Sequence, residues 1–105
     1  MRRLLGQTSG RGVIVLAAGE SPAFYEAELW ENAHTRQVEG RLGCDYRTLT
    51  DALNAGGCRL RLINGDEAEI IVTRANPQGG EFRSVGAFPW PGAQAAPPPR
   101  AEAIL

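Results

Sequence analysis

Residues 58–73, CRLRLINGDEAEIIVT, alternate so regularly that a two-stranded antiparallel hairpin is the reading they favour most strongly. Cys58, Leu60 and Leu62 fall on one face and Arg59 and Arg61 on the other; Ala68, Ile70 and Val72 repeat the pattern against Glu67, Glu69 and Thr73. Between the two runs lies Asn64-Gly65, a dipeptide suited to tight hairpin turns. A two-residue turn sets Leu60 opposite Glu69, which mixes an apolar with a charged position on one face. A three-residue connection, Ile63-Asn64-Gly65 with Gly65 in the left-handed conformation, instead pairs Leu60 with Ala68 and Cys58 with Ile70. The polar faces then match as well, Arg61 against Glu67 and Arg59 against Glu69. Pairs of this kind contribute about 0.2–1 kcal/mol each, enough to choose a register but not to drive folding.

The remaining segments are read as elements packed around this hairpin. Residues 1–10 show no periodicity and are expected to form a flexible lead-in. Residues 13–18 are apolar and β-branched, a strand that Gly19-Glu20-Ser21-Pro22 interrupts. Residues 24–31 admit two readings. Ser21-Pro22 followed by Ala, Glu and Leu suits a helix start, whereas Tyr25, Ala27 and Leu29 alternate with Glu26 and Glu28 as in a strand. The strand is preferred because residues 13–18 need a nearby partner, and it puts Trp30 on the side of Glu26 and Glu28. A turn at Asn32-Ala33-His34-Thr35 leads to a third strand over 37–42, with Val38, Gly40 and Leu42 inward. A helix follows, capped by Asp45 or Thr48, striped by Leu49, Ala52 and Leu53, and ended by Gly56-Gly57. After the hairpin, a turn over 75–80 precedes a last strand over 81–87 with Phe82 and Ser84 on one face.

The order β-β-β-α-β-β-β, joined by short turns, defines an α+β fold: a small antiparallel six-stranded curled sheet or partly open barrel, with one helix between the strand triplets. The expected globular body is 11–88. Residues 89–105, rich in proline and alanine, read as a disordered tail.

Charge narrows the function classes. The formal net charge is −1, and all eleven basic residues are arginine. With the abundance of Ala, Gly and Pro, this composition reads as a GC-rich coding bias of bacterial origin. The body carries eight arginines against eleven acids, which disfavours binding through many phosphates. Arg59 and Arg61, with Arg41 or Arg83 and an exposed Trp30, would form a nucleic-acid platform only if Glu67 and Glu69 did not neutralise them. The six apolar residues of the N-terminal segment are fewer than the ~7–15 of a secretory core, and no run reaches the ~18–20 of a membrane span. The expectation is a cytoplasmic protein without membrane attachment.

Catalytic motifs are absent from the sequence. His34 is the single histidine, Cys44 and Cys58 lack the companions of a zinc site, and Gly10-Arg11-Gly12 precedes a strand rather than a helix. The two cysteines read as reduced thiols acting as small hydrophobes. Asp45 or Asp51 is accounted for by helix capping and Asp66 by the turn. No metal or cofactor is implied. Phe88-Pro89-Trp90-Pro91 stands out instead: its prolines prevent ordinary strand pairing and leave two large aromatics either to bind a partner or to fold back over the sheet. The expectation is a non-catalytic accessory or interaction module with binding candidates Trp30, Arg59, Arg61, Phe88 and Trp90. Its partner would be another protein, or a second copy joined through an edge strand. The alternative is a small-ligand or nucleic-acid binding β-barrel.

Overall fold

The computed structural model describes residues 2–89. Along them run β1 (Arg3–Leu16), β2 (Gly19–Glu31), β3 (Arg36–Gly43), α1 (Tyr46–Ala55), β4 (Cys58–Leu62), β5 (Glu67–Asn76) and β6 (Gly79–Ser84). The central hairpin takes the register that its side chains require: Cys58 pairs with Ile70, Arg59 with Glu69, Leu60 with Ala68 and Arg61 with Glu67. The Leu62 amide donates to Asp66 O and the Gly65 amide to Leu62 O, so the connection is Ile63-Asn64-Gly65, and Gly65 has φ 97°. That left-handed conformation is inexpensive only without a Cβ.

The six strands are antiparallel throughout and form a ring-like sheet in the order β1-β2-β3-β6-β5-β4, with β4 returning to β1. Each triplet is a meander. Two-residue turns at Ala17-Ala18 and Pro77-Gln78 hold β1 to β2 and β5 to β6. Between the triplets, α1 carries the chain from β3 to the strand that lies against β1. The seam that closes the ring is narrow, with four pairs running from Gly12↔Leu62 to Val15↔Arg59.

Residues 24–31 are strand, within β2. Tyr25 and Ala27 are buried, and Trp30 shares the outer face with Glu28, to which its Nε1 donates at 3.2 Å. Pro22 is tolerated in this strand because β3 pairs with β2 only from Phe24 onward, so no ladder hydrogen bond toward β3 is lost there. Gly40 faces inward at a close approach of two strands: a Cβ there would collide with the Glu26 carbonyl oxygen.

Several expectations are corrected. From Arg3 onward the lead-in is strand, paired with β2 as far as Arg3↔Glu31. The turn over 75–80 shrinks to Pro77-Gln78, and the last strand ends at Ser84, after which the Val85 amide donates to Glu69 O. The helix begins where the Asp45 carboxylate accepts from the Thr48 amide at 3.2 Å and ends at left-handed Gly56, as capping chemistry requires. Leu49 and Ala52 are buried, but Leu53 is 40% exposed. From residue 90 on, the tail lies outside the described residues.

The core is a single cluster built from the inner positions of every element, including Ile14, Tyr25, Leu42, Leu49, Leu60, Ile70, Val72 and Phe82. Burying a large apolar side chain stabilises by about 1.5–3 kcal/mol, so these positions dominate the fold. Ser84 is the buried polar residue among the described residues, and its hydroxyl donates to Gly86 O at 3.2 Å.

Candidate functional site

Among the described residues, those singled out in the sequence do not gather at one place. Trp30 lies opposite Leu4 on β1, and Arg61 opposite Val13. Those positions are nine residues apart along one strand, or about 30 Å at ~3.3 Å per residue. Trp30 is partly buried, with the Arg2 guanidinium 4.3 Å above its ring, and Arg2 is in turn bonded to Glu39 at 2.8 Å. Phe88 packs edge-on against Tyr25, ring centroids 6.3 Å apart, and adds to the core. Trp90 lies outside the described residues.

The arginine stripe is broken up by topology. β4, which carries Arg59 and Arg61, is on the opposite side of the ring from β3, which carries Arg41. Arg41 sits between Glu26 and Glu81 in its cross-strand row. Arg61 bonds both oxygens of Glu20 and approaches Glu67 at 3.6 Å, while Arg59 reaches diagonally to Glu67 at 3.3 Å rather than straight across to Glu69. Cation and anion alternate over this surface.

Two other features have the character of contact surfaces. The first is the free side of β1. Beyond the seam, residues 3–11 pair only with β2, and among the described residues no strand lies on their other side. A bulge separates Leu4 from Gly6, and from Gly6 to Gly12 the pairing with β2 is continuous. Unpaired N–H and C=O groups in such a row are a template for another strand.

The second feature is a cavity of about 750 Å³, widely open to solvent, between the β1–β2 strands and the β4–β5 turn. Val13, Pro22, Phe24, Cys44, Leu62 and Ile63 supply its apolar lining, and Arg11 and Arg61 its charges. Phe24 is 59% exposed and Ile63 85%. The Arg11 guanidinium lies 5.3 Å from the Phe24 ring centroid, within cation–π range. Of these, only Arg61 is a binding candidate in the sequence, although one further signal was present. If Tyr25, Ala27 and Leu29 face inward, Phe24 must face outward, and a large aromatic on a polar face is informative.

Burial raises the pKa of the Cys44 thiol, with Asp45 and Cys58 adding to the effect, and burial likewise raises that of Cys58. Both therefore hold their protons more firmly than free cysteine, the reverse of an activated nucleophile. His34 is exposed in the loop between β2 and β3. Among the described residues no helix is long and apolar enough to cross a membrane. No protein-family model, no curated protein and no solved structure matches this chain.

Proposed function

We propose that this domain is a non-catalytic, cytoplasmic interaction module that accepts an extended strand from a second chain along the free side of β1. The observation that carries this reading is the disparity in β1 pairing: β2 lines it from Arg3 to Leu16, β4 only over 12–15. Strand addition recruits main-chain hydrogen bonds already oriented by the sheet, each worth about 0.5–1.5 kcal/mol net. Residues 6–11 contain neither proline nor bulge, two of the usual devices that blunt an exposed edge. The protonated, partly or fully buried thiols and the exposed lone histidine favour a binding role over catalysis.

Proline substitution tests the proposal. Successive amides of a strand point to opposite sides, so of Thr8→Pro and Ser9→Pro one removes a free edge donor and the other a bond to β2. The variant that keeps the parent melting temperature is the edge probe. Sedimentation at ~100 μM and capture from a lysate of the host should show dimer or a bound protein for the parent chain and neither for that variant. Unchanged association in the edge variant, or a parent chain that stays monomeric and captures nothing, would sink the reading.

The alternative of a nucleic-acid binding barrel is opposed by the acid-paired arginines around Arg59 and Arg61. A small-ligand role has a more specific observation in its favour, the cavity beside Phe24.

A further inference from the structure

The geometry points to a ligand site, separate from strand addition, in the cavity between Phe24 and Ile63: a site for a small apolar anion, specifically a hydrophobic carboxylate, with Arg11 as its counter-ion. Size, lining and charge agree on that class. A volume of about 750 Å³ falls within the ~300–1,000 Å³ of small-molecule sites and suits an aliphatic or small aromatic body. The lining is apolar on three sides: Val13 and Pro22 from β1 and β2, Leu62 and Ile63 from the end of β4 and its turn, and Cys44 from the segment before α1. Phe24 and Ile63 are among the more exposed large hydrophobics of the described residues, and both face this one space.

Charge sets the polarity of the ligand. In a chain with more acids than bases, the lining contains two guanidiniums and, among the described residues, no carboxylate. The two arginines are not equivalent. Arg61 is already held by Glu20 and Glu67, whereas Arg11 makes no ion pair among the described residues and rests over the Phe24 ring. A guanidinium so placed presents a planar fork of donors to a carboxylate, while the ring beneath it packs against the apolar body. The Cys44 thiol, held protonated, adds no opposing charge.

The probe is 1-anilinonaphthalene-8-sulfonate, an apolar anion whose fluorescence rises on leaving water, with dodecanoate as competitor. The folded chain should bind the dye saturably at one site, and dodecanoate should displace it while dodecanol does so weakly. Arg11→Gln should weaken the dye about tenfold, the loss of roughly one charge-assisted hydrogen bond, and leave binding of the neutral dye Nile red unchanged. Phe24→Ala should weaken both dyes. Because Arg11 and Phe24 are exposed, circular dichroism should confirm that both variants fold like the parent. Absence of saturable binding by the folded parent would overturn the assignment, and so would parental affinity for the anionic dye in both variants. The edge-proline variant should bind the dye normally, so this site and strand addition fail or succeed separately.

Discussion

The two halves of β1 have one partner in common and differ in the other. Residues 12–15 lie between β2 and β4 and point Ile14 into the core, 1% exposed; among the described residues, 3–11 pair with β2 alone. Chemistry along the strand follows that division. The seam half carries Val13, Ile14 and Val15, β-branched residues suited to a packed sheet, and the free half carries Gly6, Gln7, Thr8, Ser9 and Gly10. In the free half the apolar filling comes from β2 and not from β1: the Tyr25 ring lies over Gly10, where a Cβ would meet its hydroxyl oxygen at 3.1 Å. One continuous strand thus serves as core at one end and as a held but unsaturated edge at the other.

The contrast is open to direct challenge. Ile14→Ala should be the most damaging change in β1, costing about 2–5 kcal/mol by urea denaturation, because it empties a site sealed from both sides. A loss below 1 kcal/mol would mean that the seam collapses readily and that the ring's closure matters little. Gly12→Ala asks the same of the seam backbone. Its Cβ would fall 2.5 Å from the Arg61 carbonyl oxygen, and forcing β4 away should cost about 1–3 kcal/mol; native stability in that variant would show that β4 moves freely.

Smaller effects sharpen the comparison. Arg61→Ala removes the bonds to Glu20 and Glu67 across the outside of the seam. Its side chain is 31% exposed and that of Glu20 54%, so the loss should stay near 0.2–1 kcal/mol and shrink further in 1 M salt. Leu4→Ala, on the free half and 40% exposed, should shift stability by no more than about 0.5 kcal/mol. If it costs as much as Ile14→Ala, the free half is part of the core and the division within β1 is wrong.

The hairpin was legible because period-two alternation and a turn signal occur within sixteen residues of each other, and a slip of one residue would turn every apolar side chain outward. Helix α1 was legible for a similarly local reason, an Asp45 cap and a left-handed Gly56 stop. Residues 3–10 were not, because two adjacent leucines followed by small and polar side chains carry no alternation and become strand only through β2. The candidate surfaces suffered in the same way. Trp30, Arg59 and Arg61 were conspicuous as residue types, yet Arg2 covers the first and Glu20 and Glu67 engage the others. Phe24 and Ile63 acquire meaning only when the β4–β5 turn is brought beside β1 and β2.

The sequence by itself determined the α+β class, the register of β4 on β5, the position of the helix and the near-neutral charge, since each depends on neighbours a few residues apart or on composition alone. Tertiary structure decided the pairing of β1 with β4, the free side of residues 3–11, and the cavity shared by Phe24 and Ile63. The seam and the cavity join segments some 40 to 50 residues apart, and the free side is what the seam leaves uncovered. Their pairing depends on how the two meanders fit around one core, which no local pattern of side chains records.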